Sequence, residues 1–187
     1  MKTASKDDTA LFSDERLAYG IQHACAEDLD RLVERHHAPL LGFLYRITGG
    51  DRFLAEDLVQ DTFLRMMSRI DTYRYPRPFK PWLYAIAVNL ARDYFKQAEL
   101  RHTDSTPAHF EVPVAGTPET EFVETEETQR VAAAMNRLPL FQREAILLRY
   151  FQELSLVEMA QVLQVPVGTV KSRLSLGLKR LKENLNG

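Results

Sequence analysis

The chain has 187 residues, 45% of them apolar and 27% charged, which is enough to bury real cores and excludes a disordered or fibrous chain. Cys25 is the only cysteine, so an intrachain disulfide is excluded, and no Cys/His spacing of the zinc-site kind occurs. The start MKTASKDDTALFSDE has acidic residues where a signal peptide would have its apolar segment, so none is expected, and the longest apolar run, Trp82 to Val88, is far short of the roughly 20 residues that cross a bilayer.

The expectation is therefore a cytoplasmic protein with no membrane insertion, no metal and no cofactor. Its net charge of −2 hides an alternation: residues 74–102 carry +4, residues 103–127 carry −7 with no Lys or Arg, and residues 166–187 carry +4. Two cationic patches separated by a purely acidic stretch are a nucleic-acid signature that the mean charge conceals.

In chain order, a frayed start gives way to a helix over residues 14–26. Leu29, Leu32, Val33, Leu40, Leu41 and Leu44 then recur at helical spacing, with His36 and His37 expected on the helix surface, and Thr48-Gly49-Gly50-Asp51 supplies a stop. The next helix has an apolar stripe of Leu54 or Ala55, Leu58, Val59, Thr62, Phe63, Met66 and Ile70. Glu56, Asp57, Gln60, Asp61 and Arg65 occupy its other side.

Three alternating prolines make residues 75–81 irregular, and Trp82 opens a helix to about residue 97. Around it, Tyr73, Tyr75, Phe79, Trp82 and Tyr84 interleave with Arg74, Arg77, Lys80, Arg92, Lys96 and Arg101. Trp82 and Ile86 are assigned partly to the core. The cations, Asn89 and some tyrosines remain as a set suited to single strands, where each stacked base contributes about 1–3 kcal/mol.

The acidic stretch contains Pro107, Pro113, Gly116 and Pro118 and shows no period, so it reads as a linker. Beyond it a helix is expected over residues 125–137, and Pro139 starts another. Ser155 and Glu158 form a capping box that opens a short helix burying Leu156, Met159, Ala160 and Leu163. After Pro166 a second helix begins, with an inner face of Val170, Leu174, Leu178, Leu181 and Leu185. Its outer face presents Thr169, Lys171, Ser172, Arg173, Ser175, Lys179 and Lys182. This reads as a helix-turn-helix with a basic second helix rather than an ordinary helical hairpin with a solvated exterior, and in that geometry Lys171, Ser172 and Arg173 are expected nearest the bases and Thr169 and Lys179 nearer phosphates.

Three motifs in order carry a resemblance: Ala55-Glu56-Asp57-Leu58-Val59-Gln60-Asp61-Thr62-Phe63, Trp82-Leu83-Tyr84-Ala85-Ile86-Ala87-Val88-Asn89, and Pro166-Val167-Gly168-Thr169-Val170-Lys171-Ser172-Arg173-Leu174. With these the chain resembles bacterial RNA polymerase sigma factors of the extracytoplasmic-function (ECF) group of the sigma-70 family. The resemblance implies an all-α protein of two small helical domains. These are sigma region two over 14–100 and sigma region four over 128–187, joined by an acidic linker over 101–127.

It further implies that Asp57, Gln60, Asp61 and Arg65 dock on the β′ clamp helices of RNA polymerase core, while the second domain meets the β flap. Tyr75, Arg77, Lys80, Asn89, Arg92 and Lys96 would handle the −10 element, with Asn89 reading a flipped-out base. Thr169, Lys171, Ser172, Arg173, Ser175 and Lys179 would read the −35 element. Promoter DNA and an anti-sigma factor are the other implied partners. The chain departs from the family pattern at Leu176, where many relatives are basic, and at Cys25-Ala26-Glu27-Asp28, where Gly-Asp is usual.

The implied promoter elements lie about two helical turns apart, roughly 70 Å, whereas a coil of 25 residues averages about 28 Å. The linker alone therefore cannot set promoter spacing, and the polymerase must hold the lobes apart. Two other classes remain open on the sequence. An autonomous helix-turn-helix regulator would share the second lobe. A helical enzyme finds little support, because His36, His37 and the scattered carboxylates form no recognisable acid/base or metal constellation.

Overall fold

A computed structural model of the chain describes residues 12–103 and 126–186; most of the expected frayed start and of the expected acidic linker lies outside them. The described residues form eight α-helices and no strand, in keeping with the all-α expectation. They are α1 Asp14–Gln22, α2 Ala26–Ile47, α3 Arg52–Arg69, α4 Phe79–Thr103, α5 Glu126–Asn136, α6 Leu140–Tyr150, α7 Leu156–Leu163 and α8 Val167–Asn186, with a 3-10 turn at Ile70–Thr72 between α3 and α4.

Side-chain caps set several of these starts. The Ser13 hydroxyl accepts from the Arg16 amide at the head of α1, and the Asp51 carboxylate accepts from the Leu54 amide at 3.0 Å to begin α3. The helix expected over 14–26 is broken. It ends at Gln22, Ala24 takes a left-handed φ of 62°, and α2 restarts at Ala26. The helix expected from Trp82 begins earlier, at Phe79, because Pro81 falls within the first turn, where its missing N–H costs nothing. The Phe79 amide there donates to Glu15 Oε1 at 3.2 Å.

Helices α1 to α4 bury Leu17, Leu32, Leu40, Phe43, Leu44, Val59, Met66, Phe79 and Leu83. Helices α5 to α8, with the link between α5 and α6, bury Leu138, Ala145, Leu147, Leu148, Met159, Val162, Leu163 and Val170. These sets belong to one continuous core, because α7 seats on α4 and α6 lies against α2. The cause is legible in α4, whose residues Phe79, Leu83, Tyr84, Ile86, Ala87, Val88, Leu90 and Ala91 are all buried. A helix apolar on every side must be covered on every side. Here α3 covers one side and α7 another.

His36 corrects the sequence expectation: it is only 5% exposed, with its ring 5.6 Å from that of Phe79 and Nε2 2.8 Å from the Asp14 carboxylate. Its neighbour His37 is exposed, as expected.

Candidate nucleic-acid interface

The outer face of α3 is exposed. At 100° per residue, Ala55, Leu58, Val59, Thr62, Phe63 and Met66 turn inward and are buried, leaving Asp57, Gln60 and Asp61 exposed on the opposite side. The same side carries Phe53, Leu64 and Met67, exposed by 83%, 64% and 46%. Charge pattern alone did not single these apolar groups out, although their spacing of three and four from the acidic residues was in the sequence. Arg65 is exposed but sits on the flank. It lines a cleft together with Arg69, Thr72, Trp82, Ala85, Ile86, Asn89 and Gln164.

That cleft brings Asn89 of α4 against Trp82 and places it beside cations from α3. Of the aromatic set, only Tyr75 is freely exposed, at 47%, with its ring 5.4 Å from that of Tyr19. Tyr73, Phe79 and Tyr84 belong to the core, at 3%, 0% and 0% exposure. They pack edge to face, Tyr73 on Phe79 and Tyr84 on Phe43, so the tyrosines expected to stack bases number fewer than the sequence offered. Burial pushes the phenols of Tyr73 and Tyr84 far above their ordinary pKa. Both remain hydrogen-bond donors, Tyr73 to the Arg77 carbonyl and Tyr84 to Gln152 Oε1 at 2.6 Å.

The cations of this set divide into two groups. Arg77 and Lys96 are exposed. Lys80 and Arg92 are held by the second lobe: Lys80 Nζ donates to the Gln152 carbonyl at 2.8 Å, and Arg92 donates from Nε and Nη2 to the two oxygens of Glu144 at 2.7 and 2.5 Å. Glu144 is 1% exposed and lies in the middle of the Leu-rich helix α6. A buried carboxylate in that position demands a bidentate partner. Gln152, Glu144 and Gln164 are thus contact residues that the sequence did not flag, and the polar letter inside EAILL was the available signal.

Two further contacts cross between the lobes at the end of α2. Arg143 Nη1 donates to the Ile47 carbonyl at 2.9 Å and Asn136 Nδ2 to the Gly49 carbonyl at 3.0 Å, satisfying carbonyls that a helix terminus leaves open. Burial lowers the pKa of Arg143 below its ordinary value. Arg46 adds a cation–π contact, its guanidinium carbon 4.6 Å from the Phe151 ring centroid.

In the second lobe, α7 and α8 form the expected helix-turn-helix. The capping box is made in full: the Glu158 amide donates to Ser155 Oγ at 3.2 Å and the Ser155 amide to Glu158 Oε2 at 2.8 Å. Gln164 ends α7 in a left-handed conformation, φ 55° and ψ 43°. Met159 and Leu163 are buried with Val162, which sequence reasoning left out, while Leu156 and Ala160 are half-buried.

The inner face of α8 differs from expectation at one position. Leu178 is 37% exposed and Gly177 is buried in its place. Two successive four-residue steps from Val170 rotate by about 80° and carry Leu178 past the contact. Gly177 lets α8 approach α6 so closely that a Cβ there would lie 3.1 Å from Ile146 Cδ1.

Lys171, Ser172, Ser175 and Lys179 are exposed along one side of α8, Thr169 is half-buried, and Ser172 Oγ donates to the Thr169 carbonyl at 3.0 Å. Arg173 leans aside, half-buried, with its guanidinium 5.5 Å from the Phe141 ring centroid.

A family model described as sigma-70 region 2 matches residues 32–101, and one described as sigma-70, region 4 matches residues 128–181. The ECF RNA polymerase sigma factor SigW of Bacillus subtilis is 32% identical over 163 residues, covering 82% of this chain and 87% of that one. This chain belongs to the ECF sigma factors of the sigma-70 family.

Among solved structures, CnrH in complex with the cytosolic domain of CnrY superposes at a TM-score of 0.70 with 27% identity, covering 92% of this chain and 97% of that one. The sigma factor RpoE of Bartonella quintana, in complex with the anti-sigma factor NepR, gives 0.72 and 29%, covering 86% and 98%. A sigma factor directs RNA polymerase to promoters, and with both sigma regions matched the autonomous-regulator reading is not favoured. Among the described residues, no helix is long and apolar enough to cross a membrane.

Proposed function

We propose that this ECF sigma factor joins RNA polymerase core through the outer face of α3 and distributes promoter recognition between its two lobes. Asp57, Gln60 and Asp61 meet the β′ clamp helices, and Phe53, Leu64 and Met67 supply the apolar centre that such an interface needs. Arg65, on the flank, serves the Asn89 cleft more directly than the docking face. The second lobe meets the β flap.

Tyr75, Arg77, Lys80, Asn89, Arg92 and Lys96 handle the −10 element, with Asn89 receiving an unpaired base in the cleft beside Trp82. Lys171, Ser172, Ser175 and Lys179 face the −35 duplex, Thr169 supports the head of that helix, and Arg173 reaches DNA from its place over Phe141. The protein works in the cytoplasm and performs no covalent step. An anti-sigma factor is its partner when inactive; both superposed neighbours were solved with such a chain or a cytosolic partner domain.

One observation carries this reading: a formed helix-turn-helix whose second helix exposes Lys171, Ser172, Ser175 and Lys179 along one side. Run-off transcription with core polymerase on genomic DNA of the source organism tests it, comparing the wild type with Asp57→Arg and Asn89→Ala. The first substitution should abolish polymerase association; the second should spare association and impair opening. No defined transcript from the wild type would overturn the reading.

A further inference from the structure

Lys80 and Arg92 belong to the proposed −10 set, yet in this structure each is hydrogen-bonded to the second lobe. Gln152 occupies the first and Glu144 the second. Gln164, in the turn of the helix-turn-helix, closes on the cleft that holds Asn89. The second lobe therefore engages two of the six proposed −10 residues and borders the cleft of a third.

We infer that the free chain is self-inhibited through a latch in which Glu144 stands in for a DNA phosphate on Arg92, so that single-stranded DNA and closure compete for the same guanidinium. The inference rests on the assignment of Lys80, Asn89 and Arg92 to DNA and names how that site is regulated.

The chemistry of the exchange is direct. A carboxylate and a phosphate each present two oxygens at the spacing of the guanidinium fork, so one replaces the other without rearranging Arg92. Glu144 is 1% exposed and its partner 31%. Opening hands Glu144 to water and Arg92 to a phosphate, leaving neither charge buried and unpaired. Neutralising Glu144 in place removes the charge that holds the fork while disturbing little of the α6 packing.

The geometry also explains why the latch is directional. Tyr84 donates to the same Gln152 that receives Lys80, and Arg143 and Asn136 fasten the far end of the second lobe to α2. Closure thus rests on a line of contacts from Gly49 to Arg92. A ligand that binds only the open form sees an apparent affinity reduced by the open fraction, so the latch sets how weakly the free factor binds DNA.

The test uses the full chain, with small-angle scattering for the radius of gyration and titration of a 20-nucleotide oligo(dT) at low salt. Glu144→Gln and Gln152→Ala are compared with the wild type and with Asp30→Asn, which removes a negative charge from the exposed face of α2. Helix content by circular dichroism separates opening from unfolding, and Gln152→Ala, which removes the Oε1 acceptor of Tyr84 and leaves the backbone carbonyl that Lys80 uses, carries the test should Glu144→Gln not fold.

The expected result is a compact wild type, an expanded Glu144→Gln with oligonucleotide affinity raised by about tenfold or more, a change of the same sign in Gln152→Ala, and Asp30→Asn like the wild type. Wild-type size and affinity in both latch variants would overturn the latch, as would an equal gain in Asp30→Asn. A separate arm adds core polymerase. If the latch variants open and bind oligo(dT) while no form of the protein programs transcription, the latch stands and the sigma-factor reading falls.

Discussion

His36 Nε2 lies 2.8 Å from the Asp14 carboxylate, 22 residues away in sequence, and the histidine ring is packed beneath Phe79 at the head of α4. Arg35 contacts the other oxygen of the same carboxylate. Asp14 therefore ties α1 to α2 at the point from which α4 starts.

A pH dependence follows from this clamp. Burial pulls the Asp14 carboxyl upward, but the hydrogen bonds and charges of His36 and Arg35 outweigh it and hold the group below its ordinary value of 3.8. A depressed pKa adds stability that is present above the unfolded value and lost as pH falls through the folded one. Urea unfolding of the wild type should weaken between pH 5 and pH 3, by an amount that Asp14→Asn lacks. Equal slopes in the two proteins would remove Asp14 from the account.

The close approach at Gly177 gives a second expectation. A Cβ there meets Ile146 Cδ1 at 3.1 Å and Gln142 Cβ at 3.2 Å. Even alanine must displace neighbours, and a branched side chain cannot be accommodated. Gly177→Val should destabilise the second lobe by roughly 1–3 kcal/mol, read as a lower denaturation midpoint. Leu178→Ala, at an exposed position, should change it little.

Much of this was written in the sequence, and the exceptions share a cause. Helix periodicity and the Ser155–Glu158 capping box are local signals, and the structure contains both because the interactions that make them span three or four residues. Leu178 misled because spacings of four and four look regular on paper while rotating away from the contact. Tyr73, Phe79 and Tyr84 looked like base-stacking rings because sequence shows aromatic content and not which face of α4 is covered. The closure of the lobes depends on residues 52 to 96 positions apart; its only local trace was polar Glu144 set among the apolar residues of α6.

At the proposed polymerase face, Leu64 is the most informative residue. It sits between Asp57, Gln60 and Asp61 and is 64% exposed, outside the buried core. Residues at the centre of an interface cost 2 kcal/mol or more on truncation, about thirtyfold in affinity. Leu64→Asp should lower affinity for core polymerase by at least that factor while leaving the thermal midpoint of the free protein unchanged. Leu64→Met should retain binding, and an unaffected Leu64→Asp would move the docking surface elsewhere.

The exposed cations of α8 admit a measurement that separates steering from reading. Each phosphate neutralised by a lysine contributes about 0.9 to the slope of log affinity against log salt. Lys179 is fully open along the helix, whereas Arg173 is half-buried and shares its charge with the Phe141 ring. Holoenzyme carrying Lys179→Ala should bind promoter fragments with a slope reduced by about 1 and discrimination between sequences nearly intact. Arg173→Ala should instead weaken discrimination at one position of the −35 element. Phe141→Ala should follow it in part, because the ring is what holds the guanidinium at the flank of α8. If Lys179→Ala and Arg173→Ala change slope and discrimination alike, the two cations have the same role and the lean of Arg173 over Phe141 has no bearing on recognition.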